Sequence, residues 1–151
     1  MVQERRPMVL KTFLVEDRPE VRDTLIEALK EITPMHFVGH ADTEVTAKQW
    51  LSANDCNWDL LILDLFLGEG SGFGVLKHCQ TRAATQKVVV LTGYGQQNVL
   101  KRCLDLGADQ VFDKSQDVEK LVAFCIHHAS QLDGSFTARL NNHSDQATPP
   151  G

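Results

Sequence analysis

Hydrophobic and polar positions fall into two alternating periods along the chain. Val9 to Val15 (VLKTFLV) is a short apolar run containing β-branched residues, and it stops abruptly at Glu16-Asp17-Arg18-Pro19. Val21, Leu25, Leu29 and Ile32 then recur at helical spacing, which predicts a strand, an acidic loop and a helix. Pro34 closes that helix, His36 to Ala41 reads as a second strand, and Ala47, Trp50 and Leu51 mark the inner face of a second helix. Asp59 to Leu63 (DLLIL) is a continuous apolar strand of the kind buried on both faces of a parallel sheet, and it runs directly into Asp64.

A glycine-rich stretch, GEGSG, follows and is expected to be a flexible loop. Phe73, Val75, Leu76 and Cys79 begin a third helix, Lys87 to Leu91 (KVVVL) forms a fourth strand, and Thr92-Gly93-Tyr94-Gly95 breaks the chain again. Val99, Leu100, Cys103 and Leu104 give the fourth helix its apolar face. Gly107 stands where a helix ends in a left-handed residue, and Gln110 to Phe112 make a short fifth strand that leads to Lys114. The last helix is predicted over Asp117 to Leu132, with Val118, Leu121, Val122, Cys125 and Ala129 facing inward. The boundaries are thus one domain over 1–133 and a polar, turn-rich segment over 134–151 that reads as a flexible tail or linker. Five strands alternating with five helices imply a parallel sheet with right-handed crossovers, in a three-layer αβα sandwich of class α/β.

Composition changes this picture little. The 151 residues are 42% hydrophobic and 23% charged, ordinary for a folded α/β domain. A net charge of −5, with no basic block beyond pairs such as Arg5-Arg6, argues against direct nucleic-acid binding. No apolar run approaches the ~20 residues of a membrane helix, and the first residues lack a long apolar leader, so a cytoplasmic protein without membrane contact is expected. Cys56, Cys79, Cys103 and Cys125 are widely spaced and read as buried free thiols rather than a disulfide framework or a metal site. His127 and His128 point to different sides of a helix, which disfavours shared metal ligation and predicts partly exposed side chains. Trp50 and Trp58 are expected to be packing residues.

The chemistry lies at the strand ends, where ligands bind in sheets of this kind. Glu16 and Asp17 leave the first strand, Asp64 the third, Thr92 the fourth and Lys114 the fifth. Three converging carboxylates repel one another unless a hard cation sits among them, and oxygen donors suit Mg²⁺ or Mn²⁺. An ammonium and a hydroxyl beside them supply what the non-bridging oxygens of a phosphoryl group require. Asp64 is then placed to attack phosphorus and form an acyl phosphate.

With these residues in place, the chain resembles the receiver domain of two-component response regulators over residues 9 to 132. The resemblance is carried by Glu16-Asp17, LLILDLFLGEGSG around Asp64, Thr92-Gly93, and GADQVFDKS with its Lys114. It implies a flavodoxin-like sheet of order 2-1-3-4-5 and a phosphoacceptor role for Asp64. It further implies direct metal ligation by Asp17, Asp64 and the backbone carbonyl of Phe66, with Glu16 acting through water. Lys114 pairs with Asp64 and then with a phosphoryl oxygen, and the Thr92 hydroxyl binds another. Four positions depart from the family pattern: Val111 replaces the usual aromatic switch residue, with Phe112 beside it; Ser115 replaces a proline; Gly68 replaces another; and Glu16 replaces the more frequent aspartate.

The family implies a signalling switch that catalyses its own phosphorylation and dephosphorylation rather than a conventional enzyme. A sensor histidine kinase or histidine phosphotransfer protein is the expected donor. An output protein or a second copy is expected on the face of the fourth helix and fifth strand, and the absence of a following output domain reads as a stand-alone receiver. A phosphorylation-independent interaction module is the alternative. A dehalogenase-type phosphatase is disfavoured, because its second aspartate, two residues after the nucleophile, is here Phe66.

Overall fold

Each apolar run becomes a strand in the computed structural model, which describes residues 9–93 and 97–144. The strands are β1 (Leu10–Val15), β2 (Met35–Ala41), β3 (Leu60–Leu63), β4 (Lys87–Thr92) and β5 (Gln110–Asp113). Between and after them come α1 (Pro19–Ile32), α2 (Glu44–Ala53), α3 (Gly72–His78), α4 (Gln97–Asp105) and α5 (Val118–Ser144). All four strand pairings are parallel and the order is β2-β1-β3-β4-β5, so the sheet has the predicted flavodoxin-like topology.

The pleat divides the strand side chains between two cores. Phe13, Val15, Leu61, Leu63, Val88 and Val90 pack against Ala47 and Leu51 of α2, Val75 and Leu76 of α3, and Cys103 of α4. Leu10, Leu14, Leu60, Ile62, Val89, Leu91 and Phe112 face the other way, onto Leu29 of α1 and Leu121, Cys125, Ala129 and Leu132 of α5. β3 is buried at every position, which is why its sequence is apolar without alternation.

Local signals fix the helix ends. Pro19 opens α1, where no backbone N–H is needed, and α1 stops at Ile32, two residues before Pro34. Thr43 and Thr46 form a reciprocal capping box at the start of α2. Gly107 takes φ +106° just beyond α4, a conformation cheapest for glycine.

Some inward-facing predictions are overturned. Ile32, Leu104 and Val118 are exposed. Ile32 is the last residue of α1, whose packed face is Leu25, Ile26 and Leu29. Leu104 is one step, about 100° of helix, past the buried Cys103. Val118 opens α5 at the mouth of a cleft. His128 is buried rather than partly exposed, with its Nε2–H donating to the carbonyl of Asp59 at 3.0 Å, while His127 is exposed. Helix α5 continues beyond Leu132 through good helix formers such as Ala138, Arg139 and Leu140. Of the segment predicted as a tail, residues 145–151 lie outside the described residues, as do 1–8 and the Tyr94-Gly95 part of the fourth strand's break.

Cys79, Cys103 and Cys125 are buried free thiols as expected, whereas Cys56 is free but exposed, because it lies in the turn beyond α2. Burial pushes Cys79 up to about 11 and Cys125 up to about 12. Trp58 is in the core, and Trp50 stacks on Phe13 with ring centroids 4.0 Å apart. Among the described residues no helix is long and apolar enough to cross a membrane.

Candidate functional site

Strands β1 and β3 are neighbours with Val15 paired to Leu63, so the residues that follow them emerge side by side where the strand order reverses. Those residues are Glu16, Asp17 and Asp64, each with a carboxylate oxygen within 4.8 Å of the others. At the end of β5, Lys114 donates its backbone N–H to Thr92 O at 2.9 Å, which ties its stem to β4. Its Nζ lies 2.8 Å from Glu16 Oε1 and 3.2 Å from Asp64 Oδ2. Four of the five predicted side chains are thus in one cluster, and Thr92, at the end of β4, is joined to it through the backbone bond to Lys114.

Glu16 is 1% exposed and Asp64 8%, so both carboxylates are largely withdrawn from water. Burial raises the Asp64 pKa, and the neighbouring Glu16 charge adds to the rise, while Lys114 and the Phe66 N–H oppose it. For Lys114 burial works against the charge, but the contacts with Glu16 and Asp64 outweigh it and the ammonium is held above its ordinary range. Asp17 is more open and its Oδ2 accepts the Gly68 N–H at 2.9 Å. The Arg18 N–H donates to Glu16 Oε2 at 3.2 Å, and the Phe66 N–H lies 3.4 Å from Asp64 Oδ1. Two buried acids that share one ammonium, with a third, more open acid beside them, are a donor set that fits a hard divalent cation.

Thr92 is fully buried and points to the same side of the sheet as Val88, Val90 and Val111. A cleft of about 230 Å³ opens there, bordered by Thr92, Leu100, Val111, Phe112, Asp113, Gln116 and Asp117. Phe112, one residue on, faces the opposite core and meets Phe124 edge to face at 6.1 Å. The adjacent aromatic therefore does not stand in for the missing one at 111.

Around Ser115 the chain has a turn that sequence reasoning did not anticipate. Asp113 Oδ1 accepts from the Ser115 N–H at 2.8 Å, the Ser115 hydroxyl at 2.7 Å and the Gln116 N–H at 3.1 Å. Those bonds, led by the hydroxyl, lower the Asp113 pKa. Asp117 Oδ2 closes the turn on the Asp113 N–H at 2.9 Å. The Asp-Lys-Ser spelling was the available signal, since aspartate bonds readily to backbone two residues ahead.

Residues 12–125 match the family model described as the response regulator receiver domain. The chain belongs to that family. Among curated relatives, the receiver is 31% identical over 122 residues to the phosphate regulon transcriptional regulatory protein PhoB of Escherichia coli, covering 77% of this chain and 50% of PhoB. It is 26% identical to the transcriptional regulatory protein CitB of Klebsiella pneumoniae, covering 69% of this chain and 42% of CitB. The chain thus spans about half the length of these two relatives. Among solved structures, the phosphorylated cyanobacterial phytochrome response regulator RcpA is 27% identical, with TM-score 0.65 over 79% of this chain and 90% of that one. The signal receiver domain of NarL from Mycobacterium tuberculosis shares the fold at 19% identity, with TM-score 0.71 over 82% of this receiver and 98% of that chain.

Proposed function

We propose that this receiver accepts a phosphoryl group on Asp64 from a histidine kinase or histidine phosphotransfer protein and thereby switches an output partner. The observation that carries the reading is the placement of Asp64: buried, beside Glu16 and Asp17, with the Lys114 ammonium 3.2 Å from its Oδ2. A carboxylate in such a setting is poised to react rather than merely to cap a helix.

In the transfer, the donor's phosphorus–nitrogen bond breaks as a bond forms between phosphorus and an Asp64 carboxylate oxygen. Asp17, Asp64 and the Phe66 carbonyl would hold a Mg²⁺ ion, with Glu16 acting through water, and the ion would neutralise charge on the phosphoryl oxygens. Lys114 gives up its contact with Asp64 and pairs with one phosphoryl oxygen, and the Thr92 hydroxyl donates to another. The acquired charge, nearly two units at neutral pH, biases the β4 and β5 ends toward a second arrangement. An apolar cleft of about 420 Å³ between α1 and α5, lined by Val21, Leu25, Lys114 and Val118, opens beside the site and suits the donor protein. The exposed Leu104 on α4 supports an output partner or a second copy on the α4 and β5 face.

Incubation with acetyl phosphate and Mg²⁺, read by intact mass, tests the reading. The wild-type chain gains one phosphoryl group and Asp64→Asn gains none. An equal gain on Asp64→Asn overturns Asp64 as the acceptor, and no gain on wild type favours the phosphorylation-independent module, the reading with which Val111 is also consistent.

A further inference from the structure

The GEGSG loop between β3 and α3 is not slack, because α2 holds it. Glu44 donates its backbone N–H to Glu69 O at 3.2 Å and accepts the Ser71 N–H on Oε1 at 2.8 Å. Its Oε2 pairs with Lys48 Nζ, one turn along α2, at 2.7 Å. Two glycines make room for this side chain. A Cβ on Gly70, whose φ is +83°, would overlap Glu44 Cβ, and a Cβ on Gly74 would overlap Glu44 Oε2.

The other end of the same loop touches the acidic cluster. Gly68 N–H donates to Asp17 Oδ2 at 2.9 Å and Phe66 N–H approaches Asp64 Oδ1. Only a few residues separate these contacts from Glu69 and Ser71, and a chain that short transmits the position of one end to the other. Hydrogen bonds from Lys48 and Ser71 hold the Glu44 carboxyl below its ordinary pKa, so the clamp is ionised at neutral pH.

We propose that Glu44 is a positioning residue for the cation site: by clamping the loop it fixes the Phe66 and Gly68 backbone around Asp64 and Asp17, and so tightens divalent-cation binding. The proposal rests on the cation-assisted reading given above. Were Glu44 only a favourable charge at the start of α2, its loss would lower the melting temperature and leave cation affinity untouched.

Calorimetric titration of Mg²⁺ into the full chain, with thermal melts alongside, separates the two. Glu44→Ala is expected to weaken Mg²⁺ binding roughly tenfold, as loss of groups that orient metal ligands does. Glu44→Gln, which keeps an acceptor for the Ser71 N–H, stays closer to the parent. Gly74→Ala, which leaves Glu44 in sequence but displaces its carboxylate, reproduces the loss even though alanine is the better helix former in α3. Parent-like affinity in both Glu44→Ala and Gly74→Ala overturns the proposal while the cation site stands. A parent chain that binds no Mg²⁺ overturns the cation site and this proposal together.

Discussion

Lys114 stands between two carboxylates that are otherwise almost without water, and a single ammonium serves both. Lys114→Met keeps the aliphatic stem and removes the charge. In cation-free buffer this variant is expected to lose roughly 1–3 kcal/mol, the cost of leaving a buried polar group unpaired. It should nevertheless bind Mg²⁺ more tightly than the parent, because the ammonium no longer competes for Glu16 and Asp64. Urea denaturation and Mg²⁺ titration read the two effects, and weaker Mg²⁺ binding would show that Lys114 is no competitor. The clustered residues were legible in the sequence because each stands where an apolar strand stops. Glu44 was not, since its carboxylate accepts from Ser71, 27 residues away, and no period records where the chain returns in space; the Asp113 turn is local and its spelling carried a signal that was not used.

Helix α5 shows how far a helical pattern can be trusted. Leu121, Cys125 and Ala129 recur as expected, but His128 also lies against the sheet, where a polar ring interrupts the apolar face and bonds to Asp59 O. Burial, more than any neighbouring charge, lowers the His128 pKa from 6.5. The folded state therefore resists a proton that the unfolded chain accepts, so this contribution to stability is present above pH 6.5 and is lost as pH falls below it. His128→Gln should flatten the acid side of the stability profile measured by urea melts, and identical slopes for parent and variant would contradict this. The misplaced Ile32, Leu104 and Val118 have a common cause. They sit at helix ends or one step off the stripe, where periodicity still runs but the sheet beneath has ended or turned away.

At the scale of the molecule, the strand count and direction followed from the alternation of runs, whereas the sheet order came from the family resemblance, because no local pattern says that β1 lies beside β3. That adjacency brings the acids together, and it ties the site to the fold as a whole. Mg²⁺ that binds only the folded chain should stabilise it by about 2.7 kcal/mol at a hundredfold excess over Kd. The urea midpoint should rise accordingly in the parent and much less in Asp17→Asn; an equal rise in both would place the cation elsewhere. The two cores share every strand, so one cooperative transition is expected of the domain. That shared sheet gives sidedness to a one-letter difference in β5. The strand's only aromatic ring falls at Phe112 and is committed to the α1 and α5 layer, where it braces α5 through Phe124. A neighbour in sequence is here a stranger in space: Val111 packs into the core under α2, α3 and α4 while Phe112 packs into the one under α1 and α5, so β5 offers Thr92 an aliphatic neighbour and not an aromatic one.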